Sequence, residues 1–169
     1  MATVRRYADA DREAVGALFV RINRELAPPH LKEAFESYIA RSLVEEIERI
    51  PAYYGERRGS FWVAAEESEV VGMFGLERPD RATVELRRMY VDARARRGGV
   101  GRQMLDFAEN VARGDGCRLM VLSTSELQPA AICLYRSSGY RLVREEVGAE
   151  QTNKTVGAGI RRFYFEKNL

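Results

Sequence analysis

Between residues 83 and 122 the chain reads strand, glycine turn, helix, strand, and no other stretch limits its fold as tightly. Residues 83–91 (TVELRRMYV) form a β-rich run. Over 100–112, Met104, Leu105, Ala108 and Val111 recur at helical spacing, and Gly114 and Gly116 stop the helix. Residues 119–122 are wholly apolar, as a strand covered on both faces requires. A strand–helix–strand unit crosses over right-handed, so the strands at Thr83 and Leu119 are predicted to run parallel.

The remaining elements build a mixed sheet around that unit. Residues 3–7 read as a short strand, and Asp9 and Asp11 offer N-caps to a helix bearing Val15, Leu18, Phe19, Ile22 and Leu26. Pro28 and Pro29 break it. A second amphipathic helix carries Leu31, Phe35, Tyr38, Ile39, Leu43, Ile47 and Ile50 on one stripe and ends before Pro51, with 53–59 as loop. Residues 61–65 and 70–76 make a hairpin across the polar turn 66–69. Pro129 opens a helix running to 136 or 137, stopped by Gly139. Residues 140–146 and 160–166 close the sheet as antiparallel strands. The predicted class is α/β, a mixed sheet with helices on its faces. A length of 169 residues suits one domain over 1–169, since domains hold roughly 100–200 residues each.

Composition excludes several functions. The longest apolar run, 70–76, is far short of the ~20 residues a membrane span needs. Residues 1–12 carry charge and no apolar segment, so no signal peptide is readable and the cytoplasm is expected. Cys117, Cys133 and the single His30 make neither a zinc framework nor a disulfide scaffold, and no metal is expected. With 27 basic and 25 acidic residues the net charge is +2, too balanced for general nucleic-acid binding. The charge is nevertheless uneven. Arginines 87, 88, 94, 96, 97 and 102 face only Asp92 between them, so this stretch is either a solvated face or an anion site.

The turn itself, Arg96, Arg97, Gly98, Gly99, Val100, Gly101 and Arg102, favours the anion. Glycines let backbone amides approach a ligand closely and turn inward. A helix N-terminus adds unsatisfied N–H groups and about half a positive charge. Flanking arginines fork onto phosphate oxygens. A Walker A loop would need Lys and Ser/Thr where Arg102 and Gln103 stand. A dinucleotide fingerprint would need a third glycine at Met104 and an acidic residue near Val121. Both fail, although the same glycines also suit a plain strand-to-helix turn.

Here the sequence resembles the GNAT superfamily of N-acetyltransferases. Its pyrophosphate signature, Q/R-x-x-G-x-G/A at a strand-to-helix turn, is met by Arg96, Gly99 and Gly101. LRRMYV at 86–91 is similar to the family's fourth strand, and AAICLYRSSGY at 130–140 to its A-x-x-L-Y-x-x-x-G-F/Y segment. The element order agrees along the whole chain. The resemblance implies a mostly antiparallel sheet with a central parallel pair of strands that splay apart, and acetyl-CoA as acetyl donor. It implies that backbone groups of Met89, Tyr90 and Val91 pair with the pantetheine arm like an added strand. Amides from Arg97 through Gly98, Gly99, Val100 and Gly101 to Arg102 would hold the pyrophosphate. Thr124, Gln128 and Ala131 would line the arm near the thioester. Gln128 stands where the family often has Asn.

Acetyl transfer to an amine poses two proton problems. An alkylamine of pKa ~10.4 is neutral in only about one molecule in two to three thousand at pH 7, and the leaving thiolate must be protonated. Tyr135 matches the helix tyrosine that serves as general acid in many family members, and otherwise is a packing tyrosine. Glu85, eleven residues before Arg96, matches the catalytic glutamate of the histone-acetylating branch. Otherwise it is a strand glutamate paired with an arginine such as Arg87 on the same side, with water relaying the proton instead. His30 is read as a helix-start residue. The acceptor is expected between the first two helices and the loop before the last strand, near Tyr38, Tyr53, Tyr54 and 148–159, with Glu33, Glu36 and Glu46 on charged helix faces. Cys117 and Cys133 lack a histidine partner, so direct attack in a ternary complex is expected. The expected acceptor is a small-molecule amine. A protein or peptide acetyltransferase (lysine or N-terminal) and a non-catalytic acetyl-CoA sensor remain the alternatives, and a homodimer stays open.

Overall fold

In the computed structural model, which describes residues 1–169, one half of the sheet forms around a tight hairpin. Glu67 and Ser68 both take positive φ (48° and 71°), the backbone of a primed two-residue turn that matches strand twist. The turn joins strands β2 (Ser60–Glu66) and β3 (Glu69–Glu77). To one side lies β1 (Thr3–Arg6). To the other come β4 (Thr83–Val91), β5 (Leu119–Ser125), β7 (Arg161–Asn168) and, at the edge, β6 (Arg141–Val147). The order is β1-β2-β3-β4-β5-β7-β6, and every neighbouring pair is antiparallel except β4–β5. The parallel pair is the one predicted from crossover handedness, with Thr83 opposite Leu119.

Helices α1 (Arg12–Leu26), α2 (Lys32–Glu45) and α3 (Ile50–Glu56) cover one face, and α4 (Val100–Gly114) and α5 (Pro129–Ser137) the other. Val15, Leu18, Phe19 and Ile22 of α1 pack on Val63 and Met73. On the opposite face Met104, Leu105 and Ala108 of α4 pack on Phe74, Val84, Leu86 and Met120. Each such large side chain, removed from water, contributes about 1.5–3 kcal/mol.

Three local readings change. Residues 53–59, expected as loop, lie largely in α3, and the second helix stops at Glu45 instead of running to Ile50. Pro51 occupies the first turn of α3, where its missing N–H costs nothing, so it starts a helix rather than ending one. Neither Asp9 nor Asp11 caps α1. Asp11 instead accepts from Ala8 N–H (2.8 Å) and from Arg5 (2.8 and 2.9 Å), which ties β1 to the helix entry.

Two irregularities position the site. β4 and β5 pair only from Thr83 to Glu85 and then part, while β5 stays paired with β7 along its length. On its other edge β4 bulges. Arg88 and Met89 together stand opposite Phe74, with Arg88 at φ 54°. The extra residue puts Arg87 and Arg88 on the same face, with Glu85 and Tyr90, while Met89 and Val91 turn toward α4.

Candidate active site

The strand-to-helix turn presents its amides outward. The N–H groups of Arg97, Gly99, Val100, Gly101 and Arg102 have no acceptor in the chain, and the first helical bond is Gln103 N–H to Gly99 O at 2.9 Å. Arg97 (φ 71°) and Gly99 (φ 79°) take left-handed backbone, which makes a concavity of N–H groups at the positive end of α4. Asp92 braces it by accepting from Arg94 N–H (3.0 Å) and from Arg21 of α1 (2.6 Å). This turn is exposed, and an anion is the ligand its free donors suit.

The arginines around it divide. Arg97 carries no ion pair, and Arg102 donates to Ser137 Oγ at 3.1 Å. Arg96 donates to Val91 O at 3.0 Å and lies 3.5 Å from Glu25, so one of the carbonyls expected to be free on β4 is engaged from within the chain. Arg94 pairs with Glu69 and Asp92. Arg87 and Arg88 are not part of the turn's field, because the bulge sends them into the interior on the far face.

Where β4 leaves β5 a narrow cleft of about 90 Å³ opens between α1, α2, the strand ends and segment 148–160. Glu85, Met89, Tyr90, Thr124, Gln128 and Tyr135 all border it. Ala131, one turn before Tyr135 on α5, is half-buried against the core. Thr124 Oγ1 donates to Gln128 Oε1 at 3.2 Å, which fixes the Gln128 side chain across the end of β5. The Tyr135 ring is buried edge-on to Tyr140 (5.9 Å) and tilted on Phe165 (6.2 Å). Its hydroxyl bonds no other group of the chain, and burial, with Tyr90 nearby, raises its pKa above the usual phenol value, so it is protonated at neutral pH.

Glu85 keeps its carboxylate at the cleft with 25% of the side chain exposed. Its partner is not Arg87, the pairing offered as the alternative to a catalytic role, but Lys154, whose Nζ lies 3.0 and 3.2 Å from the two oxygens. Arg87 is taken elsewhere, donating to Glu77 (2.8 Å) and Tyr53 (2.7 Å). His30 lies exposed in a turn of 3₁₀ helix ahead of α2 and does not border the cleft.

Under the cleft lies a buried charge network that sequence reasoning missed. Glu46, read as a helix-face charge, is fully buried at the end of α2. It accepts from Arg88 Nε and Nη2 (both 2.9 Å), Tyr54 Oη (2.7 Å) and Asn153 Nδ2 (3.0 Å). Arg88 also donates to Tyr38 Oη at 2.6 Å. Burial by itself would raise the Glu46 pKa, but the two arginines and Tyr54 outweigh it and hold the carboxyl at about 2. Tyr53 and Tyr54, expected at the acceptor, therefore support the floor of the cleft and do not line it. Gly75 makes this stacking achievable, since a Cβ there would stand 2.5 Å from the Tyr54 ring. Glu36 instead pairs with Arg24 on the surface (2.8 Å), and Glu33 is exposed.

Comparison with known proteins adds to this geometry. A family model described as the acetyltransferase (GNAT) family matches residues 19–140. An N-acetylaspartate synthetase from Danio rerio is 39% identical over 115 residues, 64% of this chain and 39% of that protein. The chain spans about half the length, or less, of the curated relatives it matches. Among solved structures, an acetyltransferase of the GNAT family from Staphylococcus aureus Mu50 superposes with a TM-score of 0.77 at 19% identity, covering 100% of this chain and 99% of that one. A GNAT family acetyltransferase from Elizabethkingia anophelis, solved with acetyl-CoA bound, superposes at 0.65 with 15% identity over 99% of this chain and 98% of that one.

Proposed function

This chain belongs to the acetyltransferase (GNAT) family, and from that membership we propose that it moves the acetyl group of acetyl-CoA to the primary amine of a small molecule, by direct attack in a ternary complex. One observation carries the reading. A turn with five unsatisfied amides follows the end of β4, and the cleft where β4 and β5 part holds both an unpartnered tyrosine hydroxyl and a carboxylate. Acetyl-CoA supplies an acyl carbon activated as a thioester and a thiol leaving group.

The chain's own groups fit that donor. The free amides of Arg97, Gly99, Val100, Gly101 and Arg102, with the Arg97 guanidinium, bind the diphosphate, while the Gly98 N–H is taken by Ala95 O at 3.4 Å. β4 beyond Glu85 has no strand on its β5 side, so the backbone of Met89–Val91 receives an extended arm there. Thr124, Gln128 and Ala131 border the arm's far end. Glu85 Oε accepts a proton from the incoming ammonium, directly or through water. Tyr135 Oη delivers a proton to the departing sulfur, and its burial keeps it protonated until then. Asn23, Tyr38 and the segment 148–160 shape the acceptor side.

The printed name of the Danio rerio relative supports a small acceptor. No helix is long and apolar enough to cross a membrane. Both cysteines are free, which suits a reducing compartment such as the cytoplasm. Thiol release from acetyl-CoA over a panel of amino acids, polyamines, peptides and no acceptor tests the proposal. Turnover with small amines is expected. Turnover with peptides alone would make it a protein acetyltransferase, and cofactor binding with no turnover on any acceptor would make it a sensor.

A further inference from the structure

Only three of the 27 basic residues are lysines, Lys32, Lys154 and Lys167. Two lie away from the site. Lys32 is exposed at the start of α2, and Lys167 is bound to Glu109 (2.7 Å) on the α4 face. Lys154 is the exception. Its ammonium sits 3.0 and 3.2 Å from both oxygens of Glu85 and 3.1 Å from Glu77 Oε2, inside the cleft that Tyr135 and Thr124 border. A primary alkylamine thus occupies the place on Glu85 that the acceptor nitrogen takes in the proposed reaction.

The approach to Lys154 is fixed from both ends. Asn153 donates through Nδ2 to Glu46 and Tyr53 (both 3.0 Å), and its carbonyl accepts from Arg88. Thr152 N–H bonds Thr155 O at 3.0 Å, and Arg41 of α2 holds Gln151 O at 2.8 Å. The residue beside Lys154 is therefore pinned to a buried ion network, while the lysine side chain itself keeps 44% of its surface. A free surface loop would lack that anchor.

We propose that Lys154 is an internal acceptor, and that without an external amine the protein acetylates its own Lys154 Nζ. The inference rests on the acetyl-transfer reading above. The ammonium gives one proton to Glu85. Nζ then bonds the acyl carbon, the carbon–sulfur bond breaks, the thiolate takes a proton from Tyr135, and the second nitrogen proton passes through water to the Tyr135 oxygen, leaving an amide and free coenzyme A. The product amide is neutral, so its pairing with Glu85 and Glu77 ends.

The purified chain is incubated with acetyl-CoA and no acceptor, and each lysine is followed by peptide mapping. A nucleophile held in place reacts as in a unimolecular step, so acetyl-Lys154 should exceed acetyl-Lys32 about tenfold or more, independent of protein concentration. Heat-unfolded chain should lose the excess, and Lys154→Arg should carry none at that position. A second readout needs no acetyl transfer. Coenzyme A alone should slow labelling of Lys154 by an amine-reactive ester while leaving Lys32 unchanged. Equal acetylation of Lys32 and Lys154, a rate that rises with protein concentration, or Lys154 labelling indifferent to coenzyme A each overturns the inference. If an external amine is turned over while Lys154 stays unmodified, the internal acceptor falls and the acetyltransferase reading stands. If no acceptor is turned over and Lys154 stays unmodified, both fall.

Discussion

Glu46→Gln tests the buried network, because it removes one charge and almost no volume. Glu46 is 0% exposed and is the only carboxylate paired with Arg88; Arg87 has Glu77 as well. Stability linked to this carboxyl follows from its lowered pKa. It is fully present above the unfolded value and is lost as pH falls toward the folded one. A drop from 4.5 to about 2, at ~1.4 kcal/mol per unit, corresponds to about 3 kcal/mol lost between those pH values. The mutational route gives a similar size, since breaking a buried pair and leaving one charge uncompensated costs about 3–5 kcal/mol. Urea unfolding followed by circular dichroism, at neutral pH and in steps below pH 5, measures both. The variant should be about 3–5 kcal/mol less stable at neutral pH and should lose less stability than the parent on acidification. A variant within about 1 kcal/mol of the parent at neutral pH, or with the same acid slope, would refute the argument that this charge holds Arg88. Arg88 carries the positive-φ residue of the bulge, so the variant should also loosen β4 beside the cleft.

Two further predictions concern chemistry. Tyr135→Phe removes a hydroxyl with no partner in the chain, so unfolding stability and coenzyme A affinity should stay level. Turnover should fall by about tenfold or more, as loss of a general acid does, and unchanged turnover would take Tyr135 out of the reaction. Gly99→Glu places a carboxylate among the free amides at a φ of 79° that side chains resist. Calorimetry should show coenzyme A affinity lowered about tenfold or more by like charge at the helix N-terminus, and intact affinity would put the diphosphate elsewhere.

Residues 83–122 were readable because everything they specify is local. Glycine at the turn, helical spacing through Val111 and chain handedness need no distant partner, and the parallel β4–β5 pair followed from them. The segment 53–59 misled because Pro51, Gly55 and Gly59 look like breakers. Burial of Tyr53 and Tyr54 against β2 and β3 decides its helix instead.

The partners of charged side chains were beyond such reading. Nothing in the neighbourhood of Glu46 announces Arg88, and nothing near Glu85 announces Lys154. The single bulged residue in β4 turned two arginines inward, and the fold of 148–160 brought Asn153 and Lys154 onto them. What the amino-acid order alone determined is the architecture and the glycine turn with its free amides, since backbone preference and periodicity act within a few residues. What tertiary structure alone decided is which charges lose their water together. That depends on long-range packing, and the cost of burying a charge is met only by the particular groups the fold sets beside it.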